Sequence, residues 1–205
     1  MNDTDFKEIL DDLETGLTLP SGFLRDLLNE GDWSFVIKCH ALVESALTHM
    51  LSTTLDARLA EPMGRLNISG RAGKLSFVEA LELLDDHQRT FIRKLAELRN
   101  SVVHDVKNVG FTFAGHVATL TPEQKAQFAK FSAYFAEYQK DPAKKQKFVD
   151  DALSYPKFNI WWGTIGVLMH AYSQVVEAKA KASQAALDAA IAKHLSAFQP
   201  GSGAP

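Results

Sequence analysis

The sequence predicts an all-α fold: an antiparallel helical bundle with additional helices toward the C-terminus. Three observations point there. Apolar residues recur at spacings of three and four through nearly every long segment. Capping residues, Gly and Pro fall where those segments start and stop. No set of alternating apolar runs is large enough for a sheet; β-rich character is confined to residues 106–120. The 205 residues are 46% hydrophobic and 23% charged, which suits a globular chain with one sizeable core. Residues 1–198 read as a single helical domain, with a core at about 33–108 and C-terminal helices at 122–198. Residues 199–205, rich in Gly, Ser and Pro, read as a flexible tail.

The elements follow in order. Phe6, Ile9, Leu10 and Leu13 give residues 4–14 a helical stripe, with Asp3 or Thr4 as the cap and Gly16 as the stop. Pro20 and Ser21 open a short helix carrying Phe23, Leu24, Leu27 and Leu28, closed by Gly31. Asp32 then caps a long helix from Trp33 to about Leu59. That helix is apolar over much of its circumference, as expected at the centre of a bundle. Residues 60–73, with Pro62, Gly64, Gly70 and Gly73, read as a loop, to which Arg58, Arg65 and Arg71 lend positive charge. Ser76 starts a helix to Leu84, and Asp85-Asp86 separates it from a helix at Arg89–Asp105. Residues 106–120 read as a small hairpin or an ordered loop around Ala114-Gly115. Thr121-Pro122-Glu123-Gln124 is a capping box ahead of a helix to about Tyr138, striped by Phe128, Phe131 and Phe135. Asp141-Pro142 starts a short basic helix. A last long helix begins after Pro156 and runs toward Phe198, with Leu187, Ile191 and Leu195 on one stripe.

Charge and cysteine content narrow the function. The net charge is -3, so attraction to phosphate must come from a local patch and not from the whole field. Cys39 is the one cysteine, which excludes an internal disulfide and a cysteine-rich zinc site and fits a cytoplasmic location. It lies in an apolar run and reads as a small buried hydrophobe. The N-terminal Met-Asn-Asp-Thr-Asp-Phe-Lys-Glu is acidic and polar, unlike a signal peptide. The most apolar window, Phe158–Val176, carries Asn159, His170, Ser173 and Gln174, which suits a core helix and not a membrane span. No P-loop, dinucleotide fingerprint, nucleophile elbow or basic recognition helix is present. His40, Glu44 and His49 have no matching second cluster, and the two histidines read as hydrogen-bonded packing residues, so no metal and no cofactor is expected.

Chemistry concentrates in Leu95-Ala-Glu-Leu-Arg-Asn-Ser-Val-Val-His-Asp105. Phe91, Leu95, Leu98 and Val102 form the core stripe of this helix, and Arg93, Glu97, Asn100 and His104 form a polar stripe. Asn100 and His104 are stacked one turn apart. Arg99 is rotated by about 140° from His104, within reach of a long guanidinium that curls back. A permanent cation can bind a phosphate, an amide can orient it, and an imidazole can move protons near neutral pH. Together they suit metal-free cleavage of RNA. The same residues also suit the polar face of an ordinary surface helix.

Arg99-Asn-Ser-Val-Val-His104-Asp closing a helix of an all-α bundle resembles the HEPN superfamily motif. Ala41–Leu47, Leu75–Leu84 and Phe91–Asp105 together are similar to the mannitol operon repressor branch, over roughly residues 33–108. The resemblance implies one of two functions. One is a metal-independent endoribonuclease, related to toxins or defence effectors, that cleaves single-stranded RNA as a homodimer. The other is a non-catalytic regulatory or protein-interaction module. By this likeness Arg99, Asn100 and His104 are the catalytic set and Glu44 is the supporting carboxylate that holds Arg99. Val106 stands where the toxin subgroup carries Tyr. A single His per active set implies a homodimer in which two Arg99–His104 faces meet.

Overall fold

The computed structural model describes residues 3–104 and 106–197. Every regular element among them is helical. Helix α1 spans Asp3–Gly16, α2 Phe23–Asp26 and α3 Asp32–Leu55. Helices α4 (Ala60–Gly64), α5 (Lys74–Ala80) and α6 (Asp86–Val103) follow. Then come α7 (Phe113–Thr119), α8 (Pro122–Ser132), α9 (Pro142–Ala152) and α10 (Pro156–Ala197). Short 3-10 turns at Leu27–Asn29, Ala57–Leu59, Val106–Gly110 and Tyr134–Tyr138 fill several of the joints.

Helix α3 is the centre. Phe35, Val36, Cys39, Val43, Leu47, Met50 and Leu51 are fully buried, on a face too wide for one neighbour. It packs on α6 and even more extensively on α10. The indole of Trp33, at the start of α3, donates to the carbonyl of Val102 near the end of α6 (3.3 Å), so these two helices are antiparallel. Lys157, at the start of α10, lies 3.3 Å from Asp32 and over the Phe35 ring, so α10 starts beside the start of α3. Further along α10, Gly163 meets Phe91 of α6 and His170 meets the carbonyl of Leu83. Trp161 is buried and donates from its indole to the Leu24 carbonyl at 2.6 Å, fixing the α2 turn onto α10.

Local chemistry explains where the helices begin and end, and where the sequence reading needs correction. Asp85 caps α6 with a complete capping box to Gln88, and Thr121 does the same for α8 with Gln124. Residues 106–120 form no hairpin. A 3-10 turn leads to α7, whose cap Thr112 accepts from the Gly115 amide, while the Asp32 carboxylate accepts from Phe113 N–H at 2.9 Å. Those two side-chain oxygens satisfy helix N-terminal amides, so the β-branched composition is overridden. The helix expected to reach Tyr138 stops at Ser132, because Ala133 leaves helical geometry (ψ 35) and a 3-10 turn follows. Helix α5 starts two residues earlier than expected and ends at Ala80. Glu82 takes a positive φ of 53, and the chain turns before α6. Helix α3 ends at Leu55, and α4 lies inside the segment expected to be loop. Gly31, not Asp32, occupies the cap of α3. The side chains of Asp3, Thr4, Phe135 and Leu195, together with Asp105, Phe198 and the tail at 199–205, lie outside the described residues. No described helix is long and apolar enough to cross a membrane.

Candidate functional site

The stripe arithmetic for α6 holds. Phe91, Leu95, Leu98 and Val102 are buried, whereas Arg93, Glu97, Asn100 and His104 are exposed. Arg99 is half-buried at the α3 side of the helix. Its guanidinium nonetheless curls back: Nη1 donates to Asn100 Oδ1 at 3.2 Å. Asn100 lies one turn below His104, whose backbone N–H closes the helix on the Asn100 carbonyl. Arg99 and Asn100 are therefore joined, and His104 caps the same polar stripe. Its ring is exposed and has no hydrogen-bonded partner among the described residues.

Glu44 does not hold Arg99. Its Oε1 lies 2.9 Å from Lys74 Nζ, and its Oε2 lies 3.8 Å from His40 Nδ1. Among the described residues Arg99 makes no ion pair within 4.0 Å. The Lys74 side chain is 0% exposed and that of Glu44 36%. Taking an ammonium out of water is costly unless an anion pairs with it. Glu44 is thus committed to a lysine at the first turn of α5, thirty residues away. A carboxylate on a mostly apolar helix is costly to bury unpaired, but periodicity carries no information about which group pairs with it.

His40 is the group the sequence reading set aside. It lies one turn before Glu44 on α3, with a side chain 12% exposed. Burial pushes its pKa below the usual histidine value, Arg99 and Lys74 push it further down, and Glu44 opposes them. Lys74 of α5 and His40 of α3 thus share the Glu44 carboxylate, while Arg99 bonds to Asn100 on α6. His40 favours its neutral form there and can accept a proton.

Other candidates fall away. Arg58 is paired through its guanidinium with Asp56, and Arg65 with Glu61, so most of the expected basic patch is neutralised locally. Cys39 is buried and its thiol is pushed up to about 12, which removes it as a nucleophile. Among the described residues no group of three or more His, Cys, Asp or Glu is placed to hold a metal. A cavity of about 640 Å³ opens between α6 and α8, lined by His87, Phe91, Lys94, Lys130, Phe131 and Tyr134. Arg99, Asn100 and His104 do not line it. Comparison with family models, curated proteins and solved structures gives no match.

Proposed function

We infer that the chain is a metal-independent endoribonuclease acting on single-stranded RNA in the manner of HEPN domains. The observation that carries this reading is the hydrogen bond from Arg99 to Asn100, which turns the guanidinium toward the stripe ending at His104. Arg99 binds the scissile phosphate and balances the charge that grows in the transition state. Asn100 orients Arg99. His104, exposed at the helix end, exchanges a proton with the 2′-hydroxyl or the 5′-oxygen. The second proton-transfer group is either His40 of the same chain or His104 of a second copy.

Purified protein should then cut single-stranded RNA in EDTA and leave 2′,3′-cyclic phosphate ends. Arg99→Ala and His104→Ala should each abolish cleavage with the fold intact by circular dichroism. An excess of His104→Ala chains should poison wild-type activity if the site uses His104 of both copies; His40→Gln abolishes it if the site lies within one chain. Inactive wild type, or full activity in both variants, overturns the reading.

A regulatory or protein-interaction module is the second reading. It is favoured by the exposure of His104 and by the exposure of α10 from residue 179 to 194. Such a protein is inactive toward RNA and co-purifies with a protein partner. A cytoplasmic setting is part of both readings.

A further inference from the structure

Two cavities open on the same side of α6. The larger, about 640 Å³, lies between Thr90 and Lys94 of α6 and Gln127 and Lys130 of α8. The smaller, about 230 Å³, starts at the same Lys94 and Gln127 and continues past Glu97 to Ser101. Because they share Lys94, Gln127 and Phe131, the two form one groove between α6 and α8. On α6 it runs from His87 to Ser101, about 21 Å of helix. Its far end meets the candidate site. Glu97 lines the groove and also belongs to the polar stripe of Asn100 and His104. Ser101 adjoins Asn100 in the chain and lies one turn before His104.

The groove has an apolar floor and polar walls. Leu98, Phe128 and Phe131 form much of the floor. Both carboxylates on the walls already have a cation: Asp86 pairs with Arg89, and Glu97 with Lys94 at 2.7 Å. The Lys130 side chain has no ion pair or hydrogen bond among the described residues, and neither has the Gln127 amide. The walls therefore carry one uncompensated ammonium. They carry a second, Lys94, in an exposed i, i+3 pair that holds weakly and is readily exchanged. In a chain of net charge -3, such a local surplus is what phosphate needs.

We propose that this groove carries the single-stranded RNA on one side of the scissile phosphate. The inference rests on the ribonuclease reading and extends it from the reacting phosphate to the strand beside it. Lys94 and Lys130 bind phosphates from opposite walls. Gln127, one turn before Lys130 on the same face of α8, offers a donor and an acceptor to a base edge. The apolar floor takes base faces with little regard to sequence. A groove of about 21 Å holds about six nucleotides stacked at 3.4 Å each.

Fluorescence anisotropy with 2′-O-methyl oligouridylates tests the groove without cleavage, since these strands lack the attacking hydroxyl. An octamer should bind wild type about tenfold or more tighter than a dinucleotide. Lys130→Glu should erase that gain, and Gln127→Ala should reduce it about threefold. Lys179→Glu, at an exposed position of α10 outside the groove, makes the same change of charge and should bind like wild type. With cleavable RNA, Lys130→Glu should raise KM for the octamer about tenfold. It should leave kcat, and cleavage of the dinucleotide, unchanged. Equal affinity for the two lengths, absence of binding to either, wild-type binding by Lys130→Glu, or an equal loss in Lys179→Glu overturns the groove. Length-dependent binding that Lys130→Glu abolishes, in a wild type that cuts no RNA, overturns the ribonuclease reading and keeps the strand path. Cleavage by Lys130→Glu with an unchanged KM does the reverse.

Discussion

Replacing Glu44 with Ala leaves the ammonium of Lys74 enclosed by protein with the carboxylate that pairs with it gone. The Lys74 side chain is 0% exposed and its Nζ lies 2.9 Å from Glu44 Oε1. Removing one partner of a fully buried pair costs about 3–5 kcal/mol. Glu44 itself is 36% exposed, so water reaches its side of the pair and the cost falls to about 2–3 kcal/mol. For a chain of this length that corresponds to a fall in Tm of roughly 5–10 °C. Lys74→Met keeps a similar volume and removes the charge that needs a partner, so it should cost under about 1 kcal/mol. In the double variant the Glu44→Ala penalty should largely vanish, because no buried ammonium is left unpaired. Urea unfolding of the four proteins measures this. Glu44→Ala within about 0.5 kcal/mol of wild type, or Lys74→Met as costly as Glu44→Ala, refutes the reasoning.

Gly163→Ala should destabilise by about 1–2 kcal/mol despite the better helix propensity of Ala. An added Cβ comes within 2.5 Å of the Phe91 ring, which is itself wedged against Phe131 and Tyr134; thermal unfolding reads the loss. Stability should also fall as pH drops below 6.5. The folded state holds His40 and His116 below that ordinary value, mainly by burial, so the unfolded chain binds protons that the folded chain does not. The contribution is complete above the unfolded pKa and is lost as pH falls toward the folded one. His40→Gln should flatten the slope of unfolding free energy against pH in that window, and an unchanged slope counts against the buried position of the ring.

The helical class, most helix positions and the two faces of α6 were legible in the sequence, because these depend on local spacing and capping. The 3.6-residue period separates Leu95 and Leu98 from Asn100 and His104 whatever the rest of the chain does. Asp85 and Thr121 announce their capping boxes within four residues. Local reading failed where a distant group supplies what a segment lacks. Asp32 accepts from the first amide of α7 across eighty residues, so a helix forms where composition favoured strand. Glu44 needed a cation, and the fold brought Lys74 to it in place of Arg99, which instead turned to Asn100 beside it. Which charges meet across a seam depends on how helices cross, and that is fixed by packing of the whole core. The same packing decided that α10, and not α6 alone, covers α3, and that half of α10 is left exposed: only the length of the bundle sets where a helix runs out of neighbours.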